Sequence, residues 1–201
     1  MSSAAPHPPR ASHPPGRHTD PPPIDDLQLA RQAGLGDRDA FAEIFHRHAA
    51  GLYRYATNML DGDAHEAEDA VQDALTRAWI NLPTFRGDAA LSTWLFTITA
   101  NTVLQARRRR RPHAVDDGLL DSVAGLAPDP HDDVEHDELR LALTAALSEL
   151  PWRQRATWLL REQEELSYQD IADILGTTPT VVRGQLHRAR ATLAVRMIQW
   201  R

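Results

Sequence analysis

The sequence contains no cysteine and no lysine, so all 22 of its basic residues are arginine. The absence of cysteine excludes disulfides, thiolate nucleophiles and cysteine-based zinc sites. The sequence has no run of about 20 apolar residues, so it predicts no membrane span. The Pro- and His-rich N-terminus lacks the apolar segment of a secretory signal. We therefore expect a cytoplasmic protein that makes no membrane contact of its own.

The net charge of −6 hides a strong segregation of charged residues along the chain. Six acidic residues and no arginine lie in 61–73, and nine acidic residues and no arginine lie in 116–138. Five consecutive arginines occupy 107–111, and five more arginines with no acidic residue follow Asp173. Basic blocks on an acidic chain indicate local contact with nucleic acid. The acidic blocks would repel DNA, so they require either solvation or a basic protein partner.

Hydrophobic periodicity divides the chain into two helical blocks, 27–111 and 137–201, and alternating strand patterns are absent. Residues 1–26 hold eight of the 14 prolines and little to bury, which predicts a disordered N-terminus. Residues 112–136 are rich in proline, glycine and acidic side chains without a sustained apolar period, as in a linker. We therefore predict an all-α fold of two small helical domains joined by a flexible acidic linker.

Apolar residues recur at helical spacing in both blocks, as in a helical bundle. In the first helical stretch these residues are Phe41, Ile44, Phe45, Leu52 and Ala56. In the first helix of the second block they are Leu139, Leu143, Leu147 and Leu150.

Segment 167–193 has the local signals of two helices separated by a short turn. Ser167 fits the first position of a capping box, and Gly176 suits the left-handed residue that often follows a helix. Thr178 and Pro179 fit an N-cap followed by the first helical position. This arrangement is typical of a helix-turn-helix.

The second helix of this segment has two distinct faces at about 100° per residue. The residues expected to be buried are Val182, Leu186, Ala189 and Leu193. The residues expected on the opposite face are Thr180, Arg183, Gly184, His187 and Arg188. Arginine binds both phosphate oxygens and the major-groove edge of guanine, so this face suits DNA. An ordinary helical hairpin with a solvated arginine face would give the same pattern.

Three segments, in this order, resemble those of bacterial RNA polymerase sigma factors of the extracytoplasmic-function (ECF) type, within the sigma-70 superfamily. AEDAVQDALTRAW (67–79) resembles the region 2 helix that docks on the coiled coil of the polymerase's largest subunit. FRGDAALSTWLFTI (85–98) resembles the segment that opens and reads the −10 promoter element, and 147–193 resembles region 4, which reads the −35 element. The resemblance implies an alternative sigma factor that binds core polymerase, directs it to specific promoters and helps to open the −10 element.

The resemblance also implies roles for individual residues. The residues matching polymerase-docking positions are Asp69, Gln72, Asp73 and Arg77. Those expected at −10 DNA are Phe85, Arg86, Asn101, Arg107 and Arg108, whereas Trp94 is expected mainly to pack the bundle. The residues expected to contact −35 DNA are the five on the outer face of the second helix of segment 167–193, namely Thr180, Arg183, Gly184, His187 and Arg188.

The partners that the resemblance implies are core RNA polymerase, through its largest-subunit coiled coil and the flap of its second subunit, promoter DNA and an anti-sigma factor. No cofactor or metal is expected, and catalysis would belong to the polymerase, so the protein would not be an enzyme. In the free or inhibited state the two domains are expected to pack together and to hide both DNA-binding faces.

The sequence departs from the family pattern in the recognition helix. Thr180 stands where the family has glycine, Val181 where it has threonine, Gly184 where serine is common and Gln185 where arginine is common. These differences leave the exact −35 sequence preference open, although they do not affect the −35 role.

Other functional classes fit the sequence less well. It lacks a Gly-rich phosphate loop and the G-x-S-x-G elbow. His46 with His48, and 131–136, are the best metal candidates, but neither has metalloprotease spacing, and incidental surface histidines are the better interpretation. A stand-alone helix-turn-helix regulator is the main alternative; it would need only the second block and an operator. A recombinase with a DNA-binding tail lacks an evident nucleophile block.

Overall fold

The computed structural model describes residues 25–110 and 134–198, and these residues are helical with no β-strand. The first group of helices is α1 (Asp26–Gly34), α2 (Arg38–Met59), α3 (Ala64–Asn81) and α4 (Leu91–Arg110), with a 3-10 turn at Leu82–Thr84. The second group is α5 (Val134–Ser148), α6 (Trp152–Glu162), α7 (Tyr168–Leu175) and α8 (Pro179–Arg196). The predicted all-α fold of two small helical groups is confirmed.

Two sequence predictions fall wholly or mostly outside the described residues. The disordered N-terminus, 1–26, lies outside them except at its last two residues, and Asp26 there already begins α1. Of the linker, 112–136, only the last part is described, and α5 begins within it at Val134. Among the described residues, no helix is both long enough and apolar enough to cross a membrane.

Aspartates begin each of the first three helices. The Asp25 carboxylate accepts a hydrogen bond from the α1 backbone at 2.7 Å, and Asp37 accepts two from the first turn of α2. Asp63 accepts from the Glu66 backbone N–H at 2.9 Å at the start of α3. An N-cap of this kind contributes about 1 kcal/mol. Some of the acidic residues therefore stabilise helix ends.

The helix-turn-helix forms as the local sequence signals predict. Ser167 Oγ accepts from the Asp170 backbone N–H at 3.1 Å and caps α7. Gly176 ends α7 in the left-handed conformation, with φ 59° and ψ 48°. Thr178 caps α8, and Pro179 occupies its first turn.

The buried side chains of both helical groups form one contiguous apolar core. Helix α7 packs on α4, and α5 and α6 pack on α2, so the second group lies against the first. The predicted buried stripe of α8 is confirmed at Val182, Leu186, Ala189 and Leu193. Two residues of the periodic apolar sets stay at the surface: Phe45 is 50% exposed and Leu139 is 42% exposed, whereas Ile44 and Leu52 fill the inner face of α2.

Replacing Gly176 with alanine should lower the free energy of unfolding by about 1 kcal/mol, because a Cβ disfavours the left-handed backbone. A Cβ built at Gly176 meets no atom within 4 Å, so the loss would come from the backbone alone. Urea unfolding of the full chain measures it. Asparagine tolerates this conformation, so Gly176→Asn should lose less. Equal losses in both variants would contradict the backbone explanation.

Candidate polymerase and promoter interfaces

The acidic residues at the start of α3 are paired internally. Asp61 Oδ1 lies 2.6 Å from Arg155 Nη1. Arg110, at the end of α4, contacts Asp63 and places its Nε 2.7 Å from Glu66 Oε2. The first part of the acidic block is thus neutralised by arginines from α4 and α6.

The two carboxylates beside Arg110 experience opposite pKa shifts. The hydrogen bond from the Glu66 backbone N–H, and then Arg110, hold the pKa of Asp63 below its ordinary value. Burial raises the pKa of Glu66, although Arg110 opposes this. Because Asp63 is stabilised as an anion, its contribution to stability is present above its ordinary pKa and is lost as the pH falls through the lowered value.

The following turns of α3 present an outward acidic face. Glu68, Asp69, Gln72 and Asp73 are exposed, and within the described residues neither Glu68 nor Asp69 has an ion pair. Three of the four docking residues that the sequence suggested therefore share one solvent-facing surface.

The fourth suggested docking residue, Arg77, is engaged within the protein. Its guanidinium lies 3.1 Å from Asp73 Oδ2 and donates to Gln105 Oε1 of α4 at 3.2 Å. Arg77 therefore links α3 to α4 and orients Asp73, while keeping a partly exposed side chain.

An apolar groove, which the sequence analysis did not foresee, runs beside the acidic face between α2 and α3. It has a volume of about 980 Å³. Its apolar lining is Phe41, Phe45, Tyr53, Val71, Leu75 and Trp79. His65, Glu68, Asp69 and Gln72 also line it. The sequence feature that could have predicted this groove is the wide apolar stripe of α2, which has more large side chains than one buried face can hold.

The suggested −10 residues differ in exposure. Phe85 is half-buried, with its ring 5.1 Å from that of Trp94, and both pack against the core. Arg86 is exposed, with its Nε 3.1 Å from Asp88 Oδ2. Asn101 is exposed on α4. The loop and α4 thus combine a half-buried aromatic pair with an exposed arginine and an exposed amide, residue types that occur at single-stranded DNA sites.

The arginine run at the end of α4 is divided between surface and interior. Arg108 is exposed, whereas Arg107 is half-buried and lines a cavity of about 80 Å³ with Met59, Leu60 and Asp61. Of the two suggested −10 arginines in this run, only Arg108 is exposed.

The suggested −35 residues lie together on the outer face of α8. Thr180, Arg183, His187 and Arg188 are exposed, and Gly184 is half-exposed between them. A Cβ built at Gly184 would lie 3.7 Å from an Arg188 guanidinium nitrogen, so the Arg188 side chain extends over this glycine.

Tyr168 of α7 contacts Arg183, one of these arginines. The Arg183 guanidinium carbon lies 5.7 Å from the centre of the Tyr168 ring of α7. The Arg161 guanidinium carbon lies 5.2 Å from the same ring. Cation–π contacts of this length are attractive, so Tyr168 restricts Arg183 before any DNA is bound.

The expectation that packed domains hide both DNA-binding faces was wrong. Although α7 lies on α4, the suggested α8 residues remain at the surface, as do Arg86, Asn101 and Arg108. The physical reason is that α7 and the inner side of α8 make the contacts with the rest of the protein, which leaves the outer side of α8 free.

The histidine candidates for a metal site are only partly described. His48 Nε2 lies 2.9 Å from Asp26 Oδ2, and His46 is exposed. Within residues 25–110 and 134–198, no group of three or more His, Asp or Glu side chains is placed to hold a metal ion. Of the two histidines in 131–136, His131 lies outside the described residues and His136 lies in α5.

Known proteins resemble both helical groups. Residues 44–113 match the family model of sigma-70 region 2, and residues 140–193 match that of sigma-70 region 4. The ECF RNA polymerase sigma factor SigM of Mycobacterium tuberculosis is 35% identical over 179 residues, which cover 89% of this chain and 86% of SigM.

Two solved structures share the arrangement of the helices. The structure of CnrH in complex with the cytosolic domain of CnrY matches with a TM-score of 0.65 and 27% identity, over 85% of this chain and 96% of that one. The sigma factor RpoE in complex with the anti-sigma factor NepR, from Bartonella quintana, matches with a TM-score of 0.63 and 27% identity, over 78% and 96% of the two chains. With both sigma-70 regions present in order, the chain belongs to the ECF family of RNA polymerase sigma factors.

Proposed function

We propose that three surfaces of this sigma factor divide the work of transcription initiation. The acidic face of α3 and the adjoining groove dock on core RNA polymerase. The loop before α4, with α4 itself, holds the −10 element, and the outer face of α8 reads the −35 element. The observation that carries this proposal is that Asp69, Gln72 and Asp73 face solvent together on a molecule whose recognition helix is also exposed.

The docking surface combines two kinds of interaction. Exposed carboxylates with a neighbouring amide suit bidentate arginine donors on a partner. The adjoining groove offers apolar area of the kind that marks protein-binding sites. A partner helix with arginines along one edge and apolar residues along the other would fit both, and the coiled coil of the largest polymerase subunit is the partner we assign. The flap of the second subunit would bind the second helical group.

The −35 surface is a helix with a small residue at its centre. Gly184 permits close approach to the bases, while Arg183 and Arg188 on either side suit guanine edges or phosphates. Thr180 and Gln185 replace residues common in the family, so we expect a −35 preference different from that of typical members.

The remaining roles follow from this assignment. Catalysis would be performed by the polymerase, and the sigma factor would act in the cytoplasm as a binding and DNA-opening subunit. The similarity to a sigma factor solved with an anti-sigma factor supports a partner of that kind for this chain also.

Replacing both Asp69 and Asp73 with alanine should weaken binding to bacterial core RNA polymerase about tenfold, or roughly 1.4 kcal/mol. The reason is the loss of charge-assisted hydrogen bonds to the partner. Titration of labelled full-length protein with core polymerase measures the affinity. The control is Glu165→Ala/Asp173→Ala, which removes two exposed acids from the second helical group. If both double variants bind like the wild type, α3 is not the docking helix.

Replacing Phe45 with serine should also lower the affinity for core polymerase about tenfold, because a half-exposed aromatic ring would lose roughly 1–2 kcal/mol of apolar burial in the complex. The free energy of unfolding should fall by about 1 kcal/mol, since half of the ring is already buried in the free protein. Leu35→Ser is the matched control, because Leu35 is 91% exposed and does not line the groove. The same binding titration, with urea unfolding alongside, tests this. Equal effects of the two variants would argue against the groove.

Replacing Arg188 with alanine should weaken promoter binding by the assembled polymerase complex by about 1–3 kcal/mol and relax the preference at one −35 base pair. Binding to promoter DNA with single substitutions in the −35 element measures both effects. Arg190→Ala is the control on the same helix, because Arg190 pairs with Glu162 at 2.5 Å. A uniform loss for every −35 sequence would show that Arg188 contacts phosphate and does not read a base.

A further inference from the structure

The groove between α2 and α3 presents aromatic side chains that the described part of the protein does not cover. Phe41 and Trp79 line it, and their rings meet edge to face with centroids 4.9 Å apart. Phe45 and Tyr53 also line it and are 50% and 39% exposed. Exposed apolar area that is gathered in one patch marks a binding site.

The shape and charge of the groove define what fits it. Its α2 lining runs from Phe41 to Tyr53, about 18 Å along the helix axis at about 1.5 Å per residue. Glu68 and Asp69 line it from α3, are exposed and have no ion pair among the described residues. A matching occupant is apolar over roughly this length and carries cations that reach the two carboxylates.

The N-terminal segment, residues 1–24, has this composition. It holds eight prolines, and its two arginines, Arg10 and Arg17, are opposed by one acidic residue, Asp20. The tripeptide His-Pro-Pro occurs twice and is followed by arginine each time, in HPPR (7–10) and HPPGR (13–17). Proline-rich segments bind aromatic-lined grooves as polyproline II helices, whose preformed backbone loses little entropy on binding.

The spacing of the two His-Pro-Pro copies matches the length of the groove. Pro8 and Pro14 are six residues apart, which is two turns of a polyproline II helix. They would therefore lie on one edge of that helix, about 19 Å apart at about 3.1 Å per residue. The α2 lining has nearly the same length, about 18 Å.

The described chain begins within reach of the groove. Asp26 contacts α2, with its carboxylate oxygens 3.1 Å from Arg47 Nη1 and 2.9 Å from His48 Nε2. Phe45 and Ala49, which line the groove, flank these positions on the same helix. Residues 18–24 span up to about 22 Å when extended as polyproline II, whereas an α-helix with its side chains is about 10–12 Å across. The connection can therefore pass around α2.

We propose that residues 7–17 of this chain occupy the groove between α2 and α3 in the free protein and compete there with core RNA polymerase. Prolines cover the aromatic rings, and Arg10 and Arg17 pair with Glu68 and Asp69. The short connection gives the segment an effective concentration in the millimolar range, so a weak contact suffices. The competition rests on the proposed function, which assigns the same groove to polymerase docking, whereas the occupancy can be measured without polymerase.

Disulfide trapping in the full-length chain tests the occupancy, because the sequence has no cysteine of its own. Ala11→Cys places a thiol between the two His-Pro-Pro copies, and Ala50→Cys places one at the groove, where Ala50 is exposed. Under mild oxidation of dilute protein, this groove pair should form its disulfide about tenfold faster than Ala11→Cys with Gln28→Cys. Gln28 is the matched control, since it is exposed on α1 and nearer to Ala11 in sequence, which favours closure by an undirected tether.

Proline substitutions in the groove pair test which part of the segment binds. Pro8→Ala/Pro14→Ala should slow the disulfide to the rate of the control pair, because it removes the two prolines whose spacing matches the groove. Pro21→Ala/Pro22→Ala is the matched control and should keep the fast rate, because it removes two prolines from the connection. All four residues precede α1, and circular dichroism checks that each variant stays helical.

Titration of labelled, cysteine-free full-length chain with core polymerase tests the competition. Arg10→Ala/Arg17→Ala should bind about tenfold more tightly than the wild type, because occupancy of a site for about nine-tenths of the time weakens its partner's binding by that factor. Pro21→Ala/Pro22→Ala should bind like the wild type.

The outcomes separate the occupancy from the proposed function. Equal disulfide rates in the groove and control pairs, or a fast rate in Pro8→Ala/Pro14→Ala, would overturn the occupancy. A disulfide that joins two chains would overturn it too, since the occupant would be a second copy. A selective disulfide within one chain, with polymerase affinity unchanged in Arg10→Ala/Arg17→Ala, would overturn the competition. If neither the wild type nor this variant binds core polymerase, the proposed function fails while the occupancy stands.

Discussion

The acidic residues of 61–73 fall into two sets, one paired with arginines inside the protein and one facing solvent. The proposed docking surface depends on this division. Like charges in adjacent turns of a helix repel each other. The six carboxylates of 61–73 therefore need cations or water around them. The first three are held by arginines from other helices, Asp61 by Arg155, and Asp63 and Glu66 by Arg110. These contacts fix where α3 begins. They also leave the later carboxylates facing outward, where a partner can reach them.

Features encoded by neighbouring residues could be predicted from the sequence. The helix-turn-helix depends on Ser167, Gly176 and Thr178, each of which acts within one helical turn, and all three are found as expected. The buried stripe of α8 follows from its periodicity alone. Contacts between residues distant in sequence could not be predicted, since no local pattern indicates that Arg155 meets Asp61 or that Arg77 meets Gln105.

Two residues lie in surroundings that their sequence pattern does not indicate. Helical spacing identifies the residues that share one face of a helix, but it does not show whether the folded protein buries that face. Phe45 lies on the apolar side of α2, yet other residues saturate the core and leave the ring at a groove. Arg107 belongs to a run that suggests DNA, yet it is half-buried against the end of α2. An apolar or basic side chain is available to a binding partner only when the folded protein leaves it at the surface.

The burial of Arg155 implies that the two main charge interactions of this protein respond differently to ionic strength. Exposed arginines such as Arg183 and Arg188 would bind DNA by displacing counterions, so added salt weakens that contact steeply. In the contact between Arg155 and Asp61 the guanidinium is buried, at 1% exposed, and the carboxylate is 35% exposed, so mobile ions screen this pair less than the DNA contacts. Rising salt would therefore release the protein from DNA while leaving its two helical groups together. Salt would then act on the contacts between molecules, through the exposed arginines and the exposed carboxylates of α3, and not on the packing of the two groups.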